Sequence, residues 1–149
     1  MSEKRKRYTV HQIYLIGLLL AAGLFAMHTW IMFEMGWGLV HHAGKITRGP
    51  EAHIAGPLII LTAFFVLFIT HLAEAGAWAL LFWRMKEFPT FSESLYFTGT
   101  SITALGYGDL VLRPPWRVLG PIMAINGLLM FGCSTAFLFL IIQKIWMTL

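Results

Sequence analysis

The stretch Thr90–Asp109, TFSESLYFTGTSITALGYGD, decides the reading of this chain. It opens with TFSE, a helix-start pattern in which Thr90 caps the N-terminus and Glu93 caps back. A helix from there to Ile102 spans only about 18 Å, from the rise per residue, which is too short to cross a bilayer. The stretch closes on Thr103-Ala104-Leu105-Gly106-Tyr107-Gly108-Asp109, with glycines at alternate positions. Glycine takes positive φ without a steric penalty, so successive peptide planes there can turn their carbonyls toward one axis. A dehydrated monovalent cation needs such a set of oxygens with no competing donors. Tyr107 is placed to point outward and brace the strand. The short helix aims its carbonyl end, worth about half a negative charge, at a waiting cation.

Working outward, the flanks are membranous. No charged residue falls between Arg7 and Glu34, between Glu51 and Glu74, or between Arg117 and Lys144. Each gap holds the roughly 20 apolar residues of a spanning helix. Of 149 residues 58% are hydrophobic and 12% charged, half the charge of an ordinary soluble domain, and the mean hydropathy is +0.71. A water-soluble enzyme, a disordered tail and a nucleic-acid module are excluded. An integral membrane protein, lying in the cell membrane, is expected. Helix, glycine-punctuated strand and return to a spanning helix then read as a re-entrant loop, since non-helical backbone at membrane depth must be buried in protein or line water.

The expected organisation is all-α. Residues 1–10 form a basic lead whose Lys4–Arg7 run suits anionic lipid heads better than nucleic acid, and 11–37 form an extra N-terminal transmembrane helix. Residues 38–56, rich in Gly, His and charge, read as a loop. The pore domain covers 57–149, with an outer helix over 57–84 opened by Pro57, a pore helix over 91–102, the filter over 103–109 and an inner helix over 116–144. Trp37, Trp83, Trp116 and Trp146 stand near the ends of apolar runs, where indole rings settle at the interface. Three crossings leave no length for a soluble regulatory domain. The single cysteine, Cys133, cannot form an intrachain disulfide and reads as a packing residue.

Thr103 and the Gly106-Tyr107-Gly108-Asp109 run, followed by Trp116 at the start of the inner helix, closely resemble the potassium channel signature. The resemblance extends over residues 57–143, through His71-Leu-Ala-Glu74, Trp78-Ala and Asn126-Gly-Leu-Leu-Met-Phe-Gly-Cys-Ser-Thr-Ala, and is similar to small bacterial channel proteins. It implies a homotetramer in the lipid bilayer, because each chain carries one loop and a filter takes four. It also implies K+ held at the Ala104, Leu105, Gly106 and Tyr107 carbonyls, no other cofactor, and gating hinges at Gly127 and Gly132. The chain departs from the family where Ala104 replaces a threonine lining the innermost ion site and where Leu105 replaces valine. Tyr96 and Phe97 stand in place of two bracing tryptophans, so that Tyr96 is expected to reach Asp109 while Phe97 offers Tyr107 no donor. Thr100 stands where some members carry glutamate. By the resemblance the filter faces outward, which puts the N-terminus outside, against the positive-inside tendency.

Other residues carry competing readings. His71 and Glu74 lie one turn apart and are expected as a buried polar support behind the pore helix, reaching Thr100 or Ser101, with a proton-sensing gate as the sharper reading. The histidines His11, His28, His41, His42, His53 and His71, with Glu34 and Glu74, admit a metal centre and a membrane enzyme, although His41 and His42 are adjacent and no i, i+4 pair is present. Asn126, Ser134 and Thr135 either line a pore or bond between helices. No run of arginines at three-residue spacing marks a voltage sensor. The reading reached is a passive potassium-selective channel and not an enzyme. Its alternatives are a weakly selective monovalent cation channel or a non-conducting scaffold or metal-binding protein.

Overall fold

The computed structural model describes residues 9–46 and 52–147. Four α-helices and one 3-10 turn make up the described chain: α1 (Val10–Ile46), α2 (Ala52–Arg84), α3 (Phe91–Ile102), the turn Trp116–Val118 and α4 (Leu119–Trp146). Three segments, Val10–His41, Ile54–Arg84 and Trp116–Trp146, are long and apolar enough to cross a membrane. The chain is an all-helical membrane protein.

The helices pack through narrow stripes. On α1 the buried positions Ile13, Gly17, Leu24 and His28 recur at helical spacing, and the remaining faces stay apolar and open, as with Leu18, Leu19, Trp30 and Phe33. Gly17 sits so close to α4 that an added Cβ would lie 2.5 Å from Leu119. Two cores fix the direction of every helix. At one end Ile13, Trp78, Phe82, Phe97, Trp116 and Leu119 cluster. At the other, Met35, Leu39 and Ile59 pack on Ala63, Ile141 and Ile145. Hence α1 and α4 run parallel, α2 runs against both, and the start of α1 lies at the same end as the 103–109 segment.

Several expectations are corrected. The loop over 38–56 gives way to helix on both sides, and only residues 47–51 remain for a connection, outside the described residues. Its glycines and histidines suggested a loop locally, but Met35 and Leu39 carry the packing stripe of α1 past Trp37 onto the second core. Pro57 does not open α2 but lies inside it. The helix starts earlier because its first turns also pack on α4, where a Cβ at Gly56 would be 2.9 Å from Ile145. Trp116 is buried, unlike the exposed Trp37, Trp83 and Trp146, because the turn it opens folds under the first core.

At its far end α2 stops by a specific device. Lys86 takes φ 58°, Glu87 N–H donates to Phe82 O at 3.1 Å and Lys86 N–H donates to Trp83 O at 2.9 Å. These are the paired bonds of a Schellman motif, with lysine where glycine is usual.

Candidate functional site

The site begins with the cap of α3. The Thr90 hydroxyl accepts from Glu93 N–H at 3.1 Å, whereas the reciprocal half of the capping box is not made and Glu93 Oε2 is buried without a partner. The apolar face of α3 lies on α2: Phe97 meets Phe82 edge-on at 5.5 Å and Phe88 at 5.0 Å. Phe97 is thus a packing residue. The Thr100 hydroxyl turns back to Phe97 O.

The last turn of α3 feeds directly into the 103–109 segment. Thr103 N–H donates to Gly99 O, Ala104 N–H to Ser101 O, and Gly106 N–H to Thr100 O at 2.9 Å, while the Thr103 hydroxyl donates to Gly99 O at 2.6 Å. The segment is outside regular helix or strand, and φ is positive at Ala104 (59°), Gly106 (54°) and Gly108 (79°). The glycine pattern anticipates the last two. Ala104 completes a strict alternation in which every second residue is left-handed. Leu105 and Tyr107 stand 60% and 67% exposed on this chain, so their large apolar surfaces have no cover within it.

At the outer end of the segment the Asp109 carboxylate faces Tyr96 and holds its phenol above the usual range. Four residues later, Arg113 clamps onto the turn that ends α2. Its guanidinium donates to Lys86 O at 2.9 Å and Glu87 O at 3.2 Å, and its N–H donates to the buried Glu87 carboxylate. Sequence reasoning missed Glu87 and Arg113. Nothing local in the sequence singles these two out from the other charges between Arg84 and Arg117.

Behind the segment, α4 approaches α3 through Gly127. A Cβ there would collide with both the side chain and the carbonyl of Ile102. Gly127 is therefore a close-packing residue of a continuous helix, while Gly132 meets nothing within 4 Å. Asn126 is buried and donates to Met130 Sδ at 3.8 Å. It cannot line a pore, because packing within a single chain already covers it. Thr135 is exposed, with its hydroxyl bonded to Phe131 O.

His71 and Glu74 are not supports of α3. The Glu74 carboxylate lies 2.8 Å from His28 Nδ1 and 2.9 Å from His71 Nδ1. Ser134 Oγ lies 2.9 Å from His28 Nε2 and 3.0 Å from His71 Nε2. The partners expected at Thr100 and Ser101 are replaced by α1 and α4, because α2 turns this face toward those helices. His28, Glu74 and Ser134 are buried, and the two imidazole centroids are 5.0 Å apart. Glu34 and His41 are exposed and take no part. His42 and His53 lie where side chains are outside the described set.

Comparison with known proteins places this geometry. Searches of curated proteins and of solved structures return no match. The ion channel family matches residues 58–144, from the first turns of α2 through the capped half-length helix and the alternating segment to the end of α4. That match takes in more than half of the chain, which belongs to the ion channel family.

Proposed function

We propose that four copies of the chain surround one axis in the cell membrane and pass potassium passively through a filter of backbone carbonyls from Ala104, Leu105, Gly106 and Tyr107. The observation that carries this reading is the alternation of left-handed backbone at residues 104, 106 and 108 on an exposed strand at the carbonyl end of a half-length helix. Alternating hand turns successive carbonyls to the same side, which is the arrangement a ring of cation ligands requires. The bare Leu105 and Tyr107 side chains support closure by neighbouring copies, and heterologous contacts between identical copies form a closed ring when the rotation relating them closes. Thr135, exposed on α4, is a candidate to line the path below. Potassium is the transported ion, and the mechanism uses no other cofactor.

A second reading, a weakly selective monovalent cation channel, rests on Ala104. Four hydroxyls, one per copy, are absent from the inner mouth, so the innermost position would keep carbonyls on one side only.

Two measurements on the pure full-length chain test the proposal together. Crosslinking in mild detergent should give a ladder ending at four. Flux from proteoliposomes should favour potassium over sodium and should vanish in Gly106→Ala, where a Cβ is strained at φ 54°. Equal potassium and sodium flux would select the second reading. A ladder ending at two, or no flux of either ion, would remove the pore and leave a scaffold.

A further inference from the structure

The cluster of His28, His71, Glu74 and Ser134 does not belong to the ion path, and one of its members, His28, lies outside the residues that match the channel family. Four hydrogen bonds close these side chains into a ring drawn from α1, α2 and α4. Each bond needs one proton. Ser134 brings its own, so His28, His71 and Glu74 must supply three between them. An ionised carboxylate with two neutral imidazoles holds only two. The closed ring therefore carries one further proton and no net charge, which suits a site within an apolar slab.

That closure has a cost in symmetry. Ser134 can donate to only one Nε2, so the two imidazoles must differ, one donating to the hydroxyl and the other accepting from it. The four contacts are of nearly equal length, 2.8 and 2.9 Å to the carboxylate and 2.9 and 3.0 Å to the hydroxyl, a range that O–H···N and N–H···O bonds share, so a second arrangement fits the same distances. An arrangement that treats both rings alike has each Nε2–H donating to Ser134 Oγ, whose two lone pairs accept both. Each Nδ1 then presents a lone pair toward Glu74, which leaves both nitrogens and the carboxylate free to ligate one cation. The three groups offer ligand atoms within 4.8 Å of one another.

We propose that His28, His71 and Glu74 bind a divalent transition-metal ion of the zinc class, linking α1 to the channel module. Two imidazole nitrogens with one or both carboxylate oxygens make a donor set suited to zinc, cobalt or nickel, and too poor in oxygen for calcium or magnesium. Ser134 is the positioning residue: by accepting both Nε2–H groups it fixes each ring with Nδ1 toward the metal, as outer hydrogen bonds do for metal-bound histidine. The proton balance follows. The metal displaces both protons between Nδ1 and Glu74, and the second Nε2 gains one. The three titratable protons of the closed ring become two, and binding releases about one proton per ion. Phe131 packs on His71 at 4.3 Å.

The test uses full-length protein in detergent, stripped with chelator and titrated with Co2+ and then Zn2+. To silence adventitious sites, the titrated background carries glutamine at His11, His41, His42 and His53. The expected result is one cobalt per chain with the visible bands of a low-coordinate nitrogen–oxygen site, displaced by Zn2+, with about one proton released per Zn2+ near neutral pH. Glu74→Gln and His28→Gln should each weaken cobalt binding strongly, while Ser134→Ala should weaken it by about 10–100-fold and retain the bands. Zn2+ should raise the unfolding temperature of the parent protein and leave Glu74→Gln unmoved. Absence of cobalt bands in the parent overturns the proposal and leaves a ring closed by protons alone. Bands of equal strength in Glu74→Gln and His28→Gln overturn it equally, and the parent titration decides even if those variants do not fold.

Discussion

Gly127 and Gly132 offer a matched pair, because they lie five positions apart on one helix and meet opposite surroundings. A methyl at Gly127 strikes the Ile102 side chain and also the Ile102 carbonyl. The side chain can rotate, but the carbonyl belongs to the peptide that joins Ile102 to Thr103 and cannot withdraw without dragging the 103–109 segment. Overpacking of this kind costs about 1–3 kcal/mol, against a gain of about 0.5–1 kcal/mol for replacing glycine inside a helix. The net expectation for Gly127→Ala is a loss of about 1–2 kcal/mol. Gly132→Ala meets nothing within 4 Å and should keep the helix gain of about 0.5–1 kcal/mol. Thermal unfolding in detergent, followed by tryptophan fluorescence, should place Gly127→Ala several degrees below the parent and Gly132→Ala at or above it. If Gly127→Ala melts with the parent and instead alters channel opening, the close-packing argument fails and Gly127 is a hinge.

Ala104, at φ 59°, occupies a left-handed position that costs a residue with a Cβ about 1–2 kcal/mol. Ala104→Gly should therefore raise the unfolding temperature and Ala104→Thr lower it, since a β-branched residue tolerates positive φ least; the opposite order would refute the backbone reading. The Tyr96 phenol is held above its usual value by the Asp109 carboxylate, so it stays neutral beside that charge at neutral pH and ionises only as pH rises through the raised value, above about 10. Ion flux should accordingly show no step from this contact between about pH 6 and 9, and Tyr96→Phe at pH 7 should mimic the change that strongly alkaline solution produces in the parent. A Tyr96→Phe variant that matches the parent in flux and stability would show the contact to be idle.

What the sequence reveals about this protein follows from how local each feature is. Spans are legible because an apolar run long enough to cross a bilayer needs no partner to be recognised. The start of α3 is legible for the same reason: Thr90 and Glu93 are neighbours, and the capping bond joins them. The positive φ values at Gly106 and Gly108 can be anticipated from residue type, but the one at Ala104 cannot, since nothing in an alanine announces it. Contacts between distant residues are where reading along the chain runs out. His71 and Glu74 share a face by spacing, yet their partners are 46 residues from Glu74 at His28 and 63 from His71 at Ser134. A glycine is legible only as freedom or as space, and Gly127 turns out to be space. The loop expected over 38–56 fails for the converse reason: local composition spoke for a break, while a packing stripe extending from Met35 to Leu39 outweighed it.

The fastening of the 103–109 segment has a mechanical consequence. Near its start, three N–H groups and one hydroxyl are pinned to carbonyls of α3. At its far end Asp109 faces Tyr96, and beyond it Glu87 holds Arg113. Between these supports, among the described residues, no hydrogen bond ties the backbone to the rest of the chain, so the segment behaves as a taut cord whose pitch is set by the spacing of its anchors. One anchor is the terminus of α3 and the other is the turn that ends α2. A tilt of α2 relative to α3 would therefore stretch or slacken the cord and change the distance between successive carbonyls, without any residue of the strand being touched.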